Sequence, residues 1–425
     1  MAISDEPRNE QPFGPPEDVL VTDEDHWIDG PPHALFAQLR GQCPVHWTSH
    51  IEQEPGETGY WSVLRPEDIQ TVSRDWRRYS SERGGVTLMT DVFPLELVQA
   101  MFIGMDPPRH DRLKNLFQAG FTPRRIAAHE PAIRRIAVDV LDSFRDRSTA
   151  DLVTEVAQPI VSRVIGSFMG VPPDEDADWA RLMNAALSIA DPDLSPEGSQ
   201  TLVNDTLPEI FRRCQELIAA RREHPTDDLT SVLVHAEIEG QRLTEAEIVM
   251  GFFLLMAAGN DSTKATYCSA MRALMGDGDQ RAALVADPSL IPGAVEEALR
   301  MFPAFAHFRR TATCDTELGG QQIREGDKVV MWYVASGRDP ERYQEPDRFD
   351  VHRHPEHQAF GAGGRHFCLG AALARLELTI MLEETLARYP EMAPAGGVGA
   401  VSWVLSAFLN QMKTLPVTLG PRRAG

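Results

Sequence analysis

The sequence predicts a mainly α fold with a minor β region, and three observations carry that expectation. Residues 109–300 read almost entirely as helical segments, punctuated by Pro and Gly at FTPRR, GVPPDED, ADPDLSPEG, REHPTDD, GDGD and ADPSLIPG. Within that span, residues 244–275 open with T-E-A-E, a capping-box pattern, and run on through GFFLLMAAG, apolar all round, which places a long helix inside a core. Beyond Phe302 the pattern changes to short strands and turns, FRRTATCDTELGGQQIREGDKVVMWYV.

Taken in order, the first twenty residues are expected to be a flexible lead-in, and residues 21–425 a single domain. MAISDEPRNEQPFGPPEDVL has neither the basic start nor the apolar core of a signal peptide, and no later run is apolar and charge-free enough to span a bilayer. A cytoplasmic location follows as the expectation. PHALFAQLR reads as an amphipathic helix, and CPVHW and GYWSVL as two short strands joined by a polar, Gly-containing turn. After the helical body and the strands comes an irregular Pro- and His-rich stretch, then a helix over about 369–389 and a terminal strand pair. No internal repeat is present.

Composition narrows the function classes. The chain has 425 residues, 42% hydrophobic and 24% charged, the balance of an ordinary globular protein. A net charge of -22 argues against nonspecific nucleic-acid binding, which needs surplus Lys and Arg to neutralise phosphates. Cys43, Cys214, Cys268, Cys314 and Cys368 are scattered, odd in number and form no CxxC pair, against a disulfide framework or a zinc cluster.

The most informative segment is Phe360-Gly-Ala-Gly-Gly-Arg-His-Phe-Cys368-Leu-Gly370. A Gly-rich turn lets backbone approach a planar ligand closely, and the cysteine sits just before a helix whose first N–H groups can hold a thiolate. An isolated Cys after one Gly would read as a buried structural thiol. Four glycines, an aromatic and a histidine around it point instead to a ligand. The segment resembles the haem-binding signature of the cytochrome P450 family, F-G-x-G-x-[HR]-x-C-x-G, with Phe360 one residue further from Cys368 than usual, so that Gly363 or Gly364 is an insertion. Some members acting on steroid and isoprenoid substrates have a similarly lengthened loop. The resemblance implies haem b as cofactor, Cys368 as axial metal ligand, and Phe360 and Gly361 among the cofactor-binding residues.

Other segments match the family in the expected order. Glu297 and Arg300, at i,i+3 on one helical face, stand at its ExxR position, and Pro346-Asp-Arg348-Phe349 resembles its P-x-R-F segment. Together they imply a buried Glu297, Arg300, Arg348 network fixing the cysteine loop. Ala258-Gly259-Asn260-Asp261-Ser262-Thr263 interrupts the apolar helix with polar groups, which predicts a local helix distortion. It resembles the oxygen-activation motif A-G-x-[DE]-T-[TS], which implies Asp261, Ser262 and Thr263 as catalytic acid and alcohols beside Gly259, with Ser262 where threonine is usual. Asp106-Pro-Pro-Arg-His110-Asp-Arg112-Leu-Lys114 resembles D-P-P-x-H-x-x-x-[RK]; by position His110 and Lys114 would contact a haem propionate, with Arg310 and His366 joining them. Residues 408–417 resemble the family's C-terminal strand pair.

The implied fold is a helical prism around haem, and the implied reaction inserts one oxygen atom of dioxygen into an apolar substrate. Neither a dinucleotide fingerprint nor a cysteine cluster is present, so electrons from NAD(P)H would come through a separate ferredoxin and ferredoxin reductase, the ferredoxin docking near the cysteine loop. Expected pocket segments are 84–105, 179–190, 254–258, 304–305 and 408–409, whose apolar character fits a steroid, isoprenoid or fatty acyl substrate and leaves a macrolide or aromatic precursor open as the alternative. Two other readings compete: a peroxide-driven haem-thiolate enzyme, against which Asp261 and Ser262 argue, and a noncatalytic haem sensor, for which no signalling or DNA-binding segment is seen.

Overall fold

The computed structural model describes residues 20–51, 56–88, 95–188, 191–195, 201–238, 240–396 and 401–423. The helices that frame its interior are α1 (Arg109–Gln118), α2 (Pro123–Asp142), α3 (Gln158–Met169), α4 (Asp176–Leu187), α5 (Leu207–Glu223), α6 (Glu245–Gly276), α7 (Ile291–Met301) and α8 (Ala371–Arg388). At 32 residues, α6 is about 48 Å long and runs through the centre. Thr244 accepts from the Glu247 N–H, while the Glu247 carboxylate accepts from the Thr244 N–H, so the capping box read from T-E-A-E forms. Helices α3, α4, α5, α7 and α8 all pack against α6, and α2 lies on α8. Their apolar faces make the main core.

A five-stranded sheet stands beside this body. Its strands are β1 (Val45–Thr48), β2 (Tyr60–Val63), β3 (Tyr79–Ser80), β4 (His307–Ala312) and β5 (Lys328–Trp332), in spatial order β1-β2-β5-β4-β3. Only the β2–β5 pairing is parallel, with Val330 opposite Ser62. The period of two splits successive residues between faces. Val330 and Trp332 join Trp27 and Phe36 in one cluster, and Val329 and Met331 join Trp61 in another. Near the C-terminus, Ser402–Trp403 pairs with Met412–Thr414. The turn between them is tied to the end of α7: the Asn410 N–H donates to Ala304 O at 2.7 Å, its amide donates to Pro303 O at 3.1 Å, and Phe305 bridges to Leu409.

The helix and strands expected early in the chain appear at His33–Gln42 and as β1 and β2, the core helix as α6 and the late helix as α8. The expected lead-in falls outside the described residues, apart from Leu20. One expectation is corrected: α6 is not distorted at residues 258–263, and its helical bonding is unbroken from Glu245 to Gly276. The π-helical turns lie elsewhere, at Leu152–Ala157 and Leu202–Thr206. Physically, the Ser262 hydroxyl donates to Ala258 O one turn back at 2.7 Å without displacing the ladder. Gly259 serves packing, since a Cβ there would come within 2.8 Å of Ile165 on α3.

Candidate haem-binding and active site

A cavity of about 220 Å³ lies between α6 and the start of α8. The sequence just ahead of α8 shapes one wall. The Cys368 N–H donates to Phe360 O at 2.9 Å and closes the loop, and Gly361, Gly363 and Gly364 all have φ between 82° and 92°. That left-handed backbone is what lets the lengthened loop turn. Both candidate extra glycines press on the helix Pro66–Arg74: Ser73 Oγ donates to Gly363 O at 2.8 Å, and a Cβ on Gly364 would come within 2.5 Å of Ser73 O.

Cys368 is exposed to this cavity. The protein packed around it desolvates the thiol and pushes its pKa up; the Gly370 N–H and the positive charges of Lys114 and Arg375 act the other way. Arg375 is itself fixed, its guanidinium 4.7 Å from the Phe360 ring centroid and donating to Glu296 at 2.6 and 2.9 Å.

Four basic side chains from two elements and the loop converge on the same space. His110 and Lys114 come from α1, Arg310 from β4 and His366 from the cysteine loop. The His110 and His366 rings lie 4.2 Å apart. Burial, then the charges of Arg310, His110 and Lys114, hold His366 well below the usual histidine range, so it is neutral. Its Nε2 lies 3.2 Å from Ser81 Oγ. Lys114 donates to the carbonyls of Arg365 and Phe367. Arg310 is buried, and its one hydrogen bond among the described residues goes to Arg309 O at 2.7 Å, with no carboxylate paired to it. Arg112 points elsewhere, to Glu247 at 2.7 Å.

From α6, Ala258, Gly259, Ser262 and Thr263 line the cavity, whereas Asp261 does not. Its carboxylate is fully buried and meets Lys264 Nζ at 2.6 Å. Lys264 was missed in the sequence, although an acid and a lysine three residues apart in an apolar helix signal a pair. Glu377 on α8 was missed as well. It lines the cavity, and burial pushes its carboxyl up to about 8 against the hydrogen bond from Thr263, so it is protonated at neutral pH.

Expected pocket segments divide. Leu254, Leu255, Ala258, Ala304, Phe305, Phe102 and Ile103 line the cavity. The described part of 179–190 does not, nor do Phe408 and Leu409, though Phe408 packs on Phe305 with centroids 5.1 Å apart. Residues 89–94 and 189–190 lie outside the described residues.

The network behind the loop is built differently from the expected one. Arg300 donates to both Glu297 oxygens at 2.7 and 2.8 Å with both side chains fully buried. The third member is Arg353, whose Nε donates to Glu297 at 3.0 Å. Arg348 contributes only its carbonyl to Arg300; its side chain is exposed and turns to Glu345. The register of the turn after Pro346 decides this, because it points the Arg348 side chain outward and brings Arg353 back.

Among the described residues no helix is long and apolar enough to cross a membrane, and no group of three metal-ligating side chains occurs. The family model described as Cytochrome P450 matches residues 197–396. The methyl-branched lipid omega-hydroxylase of Mycobacterium tuberculosis is 34% identical, over 95% of this chain and 96% of that protein. The steroid C26-monooxygenase of the same species is 35% identical, over 76% of this chain and 80% of that protein. The structure of Mycobacterium marinum cytochrome P450 CYP268A2 in complex with pseudoionone is similar at a TM-score of 0.84 and 36% identity, covering 91% of this chain and 94% of that one. With likeness of this extent in both sequence and fold, the chain belongs to the cytochrome P450 family of haem monooxygenases.

Proposed function

We propose that this chain hydroxylates an apolar, lipid-like small molecule of the steroid, isoprenoid or fatty acyl kind, in the cytoplasm, with residues 21–425 acting as one domain. Electrons would come from NAD(P)H through a separate ferredoxin and ferredoxin reductase, the ferredoxin docking near the cysteine loop. One observation carries the reading: a single cavity presents the Cys368 sulfur on one wall, the cations Arg310 and Lys114 with two imidazoles on another, and apolar side chains elsewhere.

The residues fit haem. A planar group with two carboxylates needs a soft ligand, cations and hydrogen-bond donors, and Cys368, the cations Arg310 and Lys114, and the imidazoles of His110 and His366 supply them. Arg310, buried without a carboxylate partner among the described residues, is the group such an anion would satisfy. Bound there, haem would supply the activation of dioxygen. The chain's own part is to offset, through the Gly370 N–H and the charges of Lys114 and Arg375, the burial that raises the thiol, and so to favour the thiolate that ligation needs. Phe360 and Gly361 would flank the group, and Gly259 lets α6 lie close to α3 at the opposite wall. Ser262 and Thr263 bring hydroxyls to the cavity, and Asp261 stands behind them as the acid from which protons are supplied. Leu254, Ala304 and Phe305 would exclude water and favour an apolar substrate. The relatives named for methyl-branched lipids and for steroids, and the neighbour holding pseudoionone, support that substrate class.

The test is the absorption spectrum of the reduced protein under carbon monoxide, beside Cys368→Ala. A strongly red-shifted Soret band that the substitution abolishes supports thiolate ligation; a spectrum indifferent to Cys368 withdraws the reading. Turnover with a surrogate ferredoxin and NADH, set against hydrogen peroxide alone, then separates the ferredoxin-dependent enzyme from a peroxide-driven one, and no turnover with either leaves the sensor reading.

A further inference from the structure

Residues 86–88 and the turn at Ala407 and Phe408 stay outside the cavity, yet both are fastened to the stretch 305–308, whose Phe305 and Phe308 form part of the cavity wall. Alongside β4, the Arg309 N–H donates to Val86 O at 2.7 Å. Two residues on, the Leu88 N–H goes to a side chain instead: His307 Nε2 accepts it at 3.3 Å. The other ring nitrogen, Nδ1, lies 2.9 Å from Ala407 O. A carbonyl can only accept and an amide N–H can only donate, so the two contacts together require a neutral ring with its proton on Nδ1. Burial agrees, pushing the ring down to about 4.

The same ring is packed between aromatic neighbours, its centroid 4.7 Å from that of Trp332 and 5.5 Å from that of Phe408. Phe408 in turn lies 5.1 Å from Phe305 and 5.6 Å from Phe308, so it backs both aromatic residues of the wall. Its backbone is held on both sides: His307 donates to the Ala407 carbonyl, and the Ala306 N–H donates to the Phe408 carbonyl at 2.8 Å. Within the turn, Ser406 Oγ accepts from the Phe408 and Leu409 N–H groups at 3.1 and 3.0 Å. The imidazole thus joins residues 86–88, 305–308 and 404–411 at one buried point.

We propose that His307 is a positioning residue for substrate selectivity: it fixes the peptide between Ala407 and Phe408, and Phe408 then holds the Phe305 and Phe308 rings at the spacing that decides which apolar shapes the wall accepts. His307 does not line the cavity itself and acts through Phe408. The contact with Leu88 serves the aim of the ring. It occupies Nε2, leaves the proton on Nδ1 and so points the single donor at Ala407 O. A side chain able to donate from the place of Nδ1 therefore keeps the selectivity, and one that reaches only toward Leu88 does not. The proposal rests on the reading of the cavity as a haem-bearing substrate pocket.

A matched pair of ligands tests it on the haem-loaded protein: imidazole, which reaches the iron alone, and 4-phenylimidazole, whose added ring must meet the apolar wall, each titrated by the shift of the Soret band. His307→Leu should lower the preference for 4-phenylimidazole over imidazole about tenfold, the effect of one net hydrogen bond on the wall. His307→Asn, whose amide can donate where Nδ1 did, should stay within about twofold of wild type. Phe408→Ala should match His307→Leu, and the double variant should fall no further, since both act on one contact. A second readout needs no haem: hydrogen exchange of the 404–411 amides, followed by mass spectrometry, should be about tenfold faster in His307→Leu and within about twofold of wild type in His307→Asn. If His307→Leu does not keep its fold, His307→Gln, which reaches toward Leu88 but not Ala407, takes its place with the same expected losses. A wild-type preference or unchanged exchange in that variant, losses that multiply in the double variant, or an asparagine variant as impaired as the leucine one overturns the assignment. No Soret shift with imidazole in wild type would refute the haem reading, while the exchange still decides whether His307 fixes the turn.

Discussion

Removing the Arg300 guanidinium by Arg300→Leu should be the most damaging single change behind the cysteine loop. The side chain makes five hydrogen bonds: two to Glu297, and one each to the carbonyls of Gly337, Pro346 and Arg348. Leucine leaves a fully buried Glu297 carboxylate with Arg353 as its remaining cation, and breaking a buried pair in this way costs about 3–5 kcal/mol. For a chain of 425 residues the unfolding entropy is roughly 0.9 kcal/mol per kelvin, so the midpoint of thermal unfolding should drop by about 3–6 °C. Arg353→Leu leaves Glu297 its bidentate partner and removes a half-buried one, which places it near 1–2 kcal/mol and about 1–2 °C. Arg348→Ala, exposed and among the described residues paired only with Glu345, should shift the midpoint by less than about 0.6 °C. Differential scanning calorimetry of the three variants reads the series directly. An order in which Arg348→Ala costs more than Arg353→Leu would refute the assignment of the third arginine, and a drop below about 1 °C for Arg300→Leu would refute the pairing argument itself.

Three further outcomes are expected. Arg310→Leu removes a buried cation from the cavity and should speed haem loss to a scavenging apoprotein by about 10- to 100-fold, as befits one charged hydrogen bond, whereas Arg310→Lys should lose less; equal rates in wild type and Arg310→Leu would exclude a propionate contact. Glu377, raised to about 8 by burial, keeps its proton in the folded state between the usual carboxylate range and about pH 8, while the unfolded chain releases it; stability is therefore lost as pH rises through that window, and Glu377→Gln should raise the melting temperature by an increment that grows from about pH 5 to about pH 8. A constant increment would mean that Glu377 is ionised. His307, pushed down to about 4 by burial, has the opposite sign: the unfolded state binds more protons between about pH 4 and the usual histidine value, so stability falls with pH there, and His307→Gln should make that slope shallower in melting curves at about pH 6.5 and about pH 5. An unchanged slope would show that the ring is not held neutral by its contacts with Ala407 O and the Leu88 N–H.

Much of this was legible from local pattern. The capping box and all-round apolar run marked α6, and turn chemistry around Cys368 marked the loop, because each depends on residues adjacent in the chain. The basic set was legible only through the family resemblance, since His110, Arg310 and His366 come together from positions up to 256 residues apart. What stayed hidden depended on side-chain direction. Nothing in P-D-R-F-D-V-H-R tells which arginine turns inward; the fold does, by sending Arg348 to solvent and Arg353 to Glu297. The distortion expected at Ala258 to Thr263 failed because a hydroxyl back-bond and a packing glycine leave the helical ladder intact. Nothing in the sequence sets Glu377 apart from the other acids of its helix, and only the depth of α8 against α6 makes it a neutral carboxyl.

The contact between the paired glycines and the helix Pro66–Arg74 has a consequence for exchange of parts between relatives. Ser73 and Arg74 leave room for a loop one residue longer than usual, and that loop has no side chain at the point of contact. Loop and helix thus form one inheritable unit. Grafting a shorter cysteine loop from another family member would leave Ser73 Oγ without its carbonyl and open a gap under the thiolate, whereas moving residues 66–74 and 360–370 together should transplant the site intact. Chimeras cut between these two segments should bind haem more weakly than those that keep them paired, although the segments stand almost 300 residues apart.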